Sequence, residues 1–99
     1  MKKRKITINK KAKKEIERYP LVEIKWLDIV SDSSWLSCKD LSKMSLPVCV
    51  TKGHLYSTSK GITRVFADYN LVNAELGTIE DVSQVTIIPN SVIVEIKKL

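Results

Sequence analysis

Little in this sequence marks an enzyme, a membrane protein or a cross-linked one. Among 99 residues there are two cysteines, one histidine and three glycines. A disulfide scaffold of this length carries more cysteines, and Cys38 and Cys49 make one bridge at most. They read as reduced thiols, one in a loop and one in a strand. With His54 they offer three metal-ligand types, but structural zinc takes four ligands in close pairs, and neither cysteine has a near partner. Cys49 and His54 are five residues apart, which puts them on opposite faces of a regular strand and argues against a thiol–imidazole pair. A glycine-rich phosphate cradle and a nucleophile elbow are both missing. Asp28, Asp32 and Asp68 are scattered acids that suit strand ends and turns. No apolar run approaches the roughly 18 residues of a spanning helix. No apolar stretch follows the basic N-terminus as a secretory signal requires. The expectation is a non-enzymatic cytoplasmic protein with no metal, no cofactor and no membrane association.

What is present divides unevenly along the chain. Residues 1–18 hold nine Lys/Arg and two Glu, a balance of +7, whereas the other 81 residues hold eight Lys/Arg and nine Asp/Glu, a balance of −1. The overall +6 therefore sits in an N-terminal arm, with a seam near Tyr19-Pro20. The expected organisation is a basic arm over residues 1–20 and one small domain over 21–99. In the arm, Asn9 suits a helix N-cap, and Ala12, Ile16 and Tyr19 form one narrow apolar stripe. Pro20 ends that helix. Residues 1–8 precede it as a frayed or weakly extended lead, and Ile16 and Tyr19 are its expected docking points.

The rest reads as strands. "LVEIKWLDIV" alternates, with Val22, Ile24 and Trp26 on one face. A serine-rich loop follows from Ser31 to Ser45, with a helical turn expected around Leu36 to Leu41. "LPVCVTKGHLYSTSK" is extended, with Gly53 marking a bulge or sharp bend. "GITRVFADYNLV" follows a turn at Ser59-Lys60-Gly61. "NAELGTIEDVS" reads as a second polar connection, and "QVTII" and "SVIVEIKKL" are the last two strands.

Between those last strands stands Pro89-Asn90-Ser91. A hairpin favours Asn-Gly or Asp-Gly. Proline instead suits the start of one helical turn, because its φ is preset and its missing N–H has no partner there. Such a turn joins the final strands of SH3-like and Sm-like barrels. Ile87 and Ile88 before it, and Val92, Ile93, Val94 and Ile96 after it, would supply core and rim. The expected fold is mainly β: a small five-stranded SH3-like or Sm-like barrel, which hides its strand edges, with a short basic N-terminal helix.

The segments "IKWLD", "SSW", "GHL", "TRVFA" and "IPNSVIVEIKKL", spread over Val22 to Leu99, resemble a family of small, uncharacterised bacteriophage proteins. The resemblance implies a phage origin, an SH3-like barrel and action in the host cytoplasm. It implies no catalytic residues. The basic arm departs from the family pattern, in which chains start close to the first strand.

Two binding surfaces emerge. Trp35 lies in the long serine-rich loop, and such loops in small domains are often functional. It either folds back as a lid over one end of the barrel or joins Leu36, Leu41 and Met44 in a surface for a host or phage protein, with tryptophan as anchor. Alternatively, Lys2, Lys3, Arg4, Lys5, Lys10, Lys11, Lys13 and Lys14 neutralise RNA or DNA phosphates without reading sequence, or simply solubilise the chain. The body is neutral and only 6% aromatic, with no basic–aromatic alternation on one face. A homo-oligomer through an open strand edge is a further expectation, since "SVIVEIKKL" is apolar enough to pair between subunits.

Overall fold

A computed structural model describes residues 15–73 and 77–99. Asn9, Ala12, the lead over residues 1–8 and all eight cationic residues named above lie outside the described residues. The chain enters on the end of a helical turn, where the Arg18 and Tyr19 N–H groups donate to the Glu15 and Ile16 carbonyls at 3.2 and 2.9 Å. Pro20 stops it, as expected from the restriction proline places on the residue before it.

Five strands follow: β1 (Leu21–Leu27), β2 (Val48–Ser57), β3 (Ile62–Asn73), β4 (Thr78–Pro89) and β5 (Ile93–Lys98). They form one antiparallel sheet in the order β4-β3-β2-β1-β5. The protein is thus mainly β. One short helix, α1 (Cys38–Lys43), lies between β1 and β2, two residues later than the turn expected at Leu36.

The sheet curls around a small core. In a flat sheet β4 and β1, three strands apart, would be separated by about 14 Å. Yet Ile88 of β4 shares one buried cluster with Val22 and Ile24 of β1 and Val65 of β3. Trp26, Leu55, Val92 and Ile93 pack against that cluster from its margins. Trp26 is half-buried, and its indole N–H donates to Thr51 Oγ1 at 2.9 Å. Gly53 lies opposite Val22 on this inner face. A Cβ there would stand 3.0 Å from the Phe66 carbonyl oxygen. The β1–β2 register runs unbroken through Gly53, and the irregularity in β2 falls instead between Leu55 and Ser57, where it pairs with β3. Glycine here serves close backbone approach rather than a bulge.

The proline-led corner forms as expected. Pro89 (φ −60°) precedes a 3-10 turn over Asn90–Val92, and β5 then leaves to pair with β1. Asn90 fastens this corner to the β2–β3 hairpin. Its backbone N–H donates to the Gly61 carbonyl (2.9 Å), and its side-chain amide donates to the Thr58 carbonyl (3.1 Å). Its side-chain oxygen accepts from the buried Thr63 hydroxyl at 2.6 Å. The hairpin turns at Lys60-Gly61, both at positive φ (58° and 76°), the backbone that two-residue hairpin loops require.

Two sequence expectations need correction. The barrel is not closed: β4 and β5 sit at opposite ends of the sheet order and are not hydrogen-bonded to one another. Pro89 has no N–H to offer, and β5 spends its pairing on β1. Of the polar stretch expected as a connection from Asn73 to Ser83, Thr78 to Ser83 is strand instead, because β4 begins at Thr78. That part of β4 pairs only with β3, in a ribbon whose Asp81 N–H is held by the Asn70 side-chain oxygen at 2.8 Å.

Candidate binding surfaces

The chain between β1 and β2 forms an arm. Its base is closed by the Asp28 N–H donating to the Pro47 carbonyl at 3.0 Å. From Ile29 to Val48 every residue is exposed. Nothing in the arm is ordered by burial, so short polar bonds order it. Asp32 accepts from both the hydroxyl and the N–H of Ser34, at 2.6 and 2.8 Å. Those two bonds, the hydroxyl first, hold its carboxyl below the usual carboxylate range. Ser37 caps α1 by accepting from the Asp40 N–H at 3.0 Å, and the Ser42 hydroxyl donates to the Cys38 carbonyl at 2.8 Å. Serine and aspartate fold the backbone locally in this way without any core.

On this scaffold the large apolar side chains face water. Trp35 is 103% exposed, and Leu36, Leu41 and Met44 are exposed with it, as are Ile29, Val30 and Leu46. Of the two alternatives for Trp35, the lid is overturned: the indole covers no end of the sheet. The four residues singled out from the sequence do share one projecting arm.

The outer face of the sheet carries a second feature, which the sequence reading missed. His54 and Tyr56 of β2 lie on one face, and Phe66 of β3 pairs directly with His54. Phe66 is buried there, on the side opposite Val65. Tyr19 closes over it from the turn before β1, stacking on Tyr56 (centroids 5.5 Å apart, planes 16° apart) and meeting Phe66 edge-on at 5.6 Å. His54 stacks on Phe66 at 5.4 Å, and its Nδ1 lies 3.0 Å from the Tyr19 carbonyl oxygen. Tyr69 meets both rings edge-on. Ile16 is half-buried beside Pro20 and His54. Of the two expected docking points of the N-terminal helix, Tyr19 packs its ring on the sheet and Ile16 is half-buried. The five rings are scattered from residue 19 to residue 69, and only strand pairing gathers them, so no local pattern announces the cluster. The signal available was the spacing of His54 and Tyr56, two apart on one strand face.

Next to this cluster is a cleft of about 320 Å³. Among the described residues, Tyr19 and Tyr56 line one part of it, Val82 and Val85 of β4 another, and Phe66 lies between, with Arg64 and Glu80 contributing charge. The Arg64 guanidinium donates to Ser57 Oγ at 3.0 Å.

Cys49 and His54 do not come together. The unbroken β1–β2 register places Cys49, opposite Trp26, on the inner face, and His54 on the outer one. Cys38 and Cys49 are free thiols. Among the described residues no three His, Cys, Asp or Glu side chains group as metal ligands, and no helix is long and apolar enough to cross a membrane. Comparison with protein-family models, with curated proteins and with solved structures finds no match to this chain.

Proposed function

We propose that this protein is a non-enzymatic binding module that holds a host or phage protein through the arm between β1 and β2, with Trp35 as the anchor. The observation that carries the reading is Trp35 at full exposure on a locally ordered arm, flanked by Leu36, Leu41 and Met44. A large aromatic kept in water by an ordered segment gains its stabilisation only when a partner covers it. Tryptophans of this kind dominate the energetics of many interfaces. The separation of Cys49 from His54 supports the non-enzymatic part. The strand order and the proline-led 3-10 turn support an SH3-like or Sm-like relationship, with the edges left unpaired. Together with the resemblance of "IKWLD" and "IPNSVIVEIKKL" to small phage proteins, they support a phage-encoded module acting in the host cytoplasm.

The test uses the full chain as bait in bacterial lysate treated with nuclease, beside Trp35→Ala. A protein held by the parent chain should bind Trp35→Ala about thirtyfold or more weakly, the loss expected of a central anchor. The thermal unfolding of the sheet should not change. Equal retention by both chains would overturn the reading.

A further inference from the structure

The open sheet leaves the far edge of β5 free. Among the described residues no strand pairs on that side, and Val94 to Lys98 are all exposed. The Leu99 N–H donates to the Leu21 carbonyl at 3.0 Å. Antiparallel ladders alternate, so Lys97 and Glu95 turn their backbone groups to β1. Ile96, between them, turns its N–H and C=O outward. An edge of this kind is a template for another strand.

The side chains say which strand fits. On the face opposite buried Val22 and Ile24, charge alternates from strand to strand. Lys52 stands opposite Glu23, and Glu23 opposite Lys97, whose Nζ is 4.0 Å from Glu23 Oε2. One row along, Lys25 stands opposite Glu95. The rows therefore end at the sheet edge in one cation and one anion, with Ile96 midway between them. A second copy running antiparallel, with a two-fold axis at Ile96, sets Lys97 of each chain opposite Glu95 of the other. Both rows then keep alternating in sign through the axis, Ile96 meets Ile96, and Lys98 meets Val94. The other end strand lacks this symmetry: β4 carries Glu80 and Asp81 side by side, Gln84 at a φ of 53°, and Pro89 without an N–H.

We propose that β5 pairs with β5 of a second copy about a two-fold axis at Ile96, joining two sheets into one. The pairing uses no residue of the arm, so it is tested separately from the arm's role.

Five residues a side is far below the roughly 20–30 of a standard interface, so the dimer is dissociable. Sedimentation equilibrium of the full chain at low ionic strength, from about 1 μM to about 1 mM, should show monomer passing to dimer. Lys97→Glu and Glu95→Lys should each weaken the dimer about tenfold, because each turns two attracting cross-strand pairs into two repelling ones. An equimolar mixture of the two variants should associate more tightly than either alone, since their edges complement each other. Each variant also meets a like charge on β1, but mixing leaves that unchanged, so rescue reports the contact between copies alone. Both positions are exposed, and melting curves check that the variants fold. In the parent, NMR amide exchange at Ile96 should slow as concentration rises. A monomer throughout, single variants that dimerise like the parent, or a mixture without rescue would each overturn the proposal. Concentration-dependent protection along β4 or the start of β2 instead of Ile96 would assign association to another edge and overturn it too.

Discussion

Asn90 ties the proline-led corner to the β2–β3 hairpin through both ends of its side chain. It answers both the Thr58 carbonyl and the buried Thr63 hydroxyl, while its backbone reaches Gly61. Asn90→Ala leaves the Thr63 hydroxyl buried without a partner, so urea unfolding should show a loss of about 1–3 kcal/mol. Adding Thr63→Val removes the orphaned group and should recover part of that loss. Gly53 is constrained differently. A methyl group there meets the Phe66 carbonyl oxygen at 3.0 Å, and backbone cannot swing aside as a side chain can. Gly53→Ala should cost about 1–3 kcal/mol in the same measurement, with no change in ligand chemistry. Pro89 was readable from sequence because its φ restriction is local. Asn90 was not, because its partners lie 27 and 32 residues earlier and only the folded corner brings them near.

Among elements, β1 was readable because its alternation survives in the structure as buried Val22 and Ile24, and β5 because its β-branched run follows the proline corner. The N-terminal half of β4 was not. Thr78 to Ser83 includes Glu80 and Asp81 and pairs only with β3, so no buried face imposes a hydrophobic pattern. The arm's length was evident from its serines, but its direction was not. Local turns such as Asp32–Ser34 and the Ser37 cap specify a path without saying whether the path leads inward or outward. Because no residue of Ile29–Val48 is buried, the arm should be dispensable for folding. Replacing residues 28–47 with a four- or five-residue turn shortens a closed loop and should raise the stability of the sheet by about 1 kcal/mol. Calorimetry on the shortened chain checks this; a large loss would mean that the arm packs on the sheet.

For the whole molecule the balance of apolar surface is the governing quantity. Among the described residues five apolar side chains are buried, whereas 19 large ones are exposed. Exposed apolar residues are ordinary when scattered, but seven of these lie on one arm and Val82, Val85 and Ile87 follow one edge strand. Alternation in a sequence tells which side chains share a face; it does not tell whether the sheet closes, which depends on how β4 and β5 meet. The open sheet leaves apolar surface that a closed barrel would have shared between its ends.

The two tryptophans provide the most direct test, with no mutation needed. Amide and indole hydrogen exchange on the free parent chain, followed by NMR, reports each indole N–H separately. The Trp26 N–H, bonded to Thr51 Oγ1, should exchange slowly, and the Trp35 N–H should exchange at the rate of free indole. A protected Trp35 in the dilute free protein would contradict the account, because the anchor would already be covered by the chain's own fold.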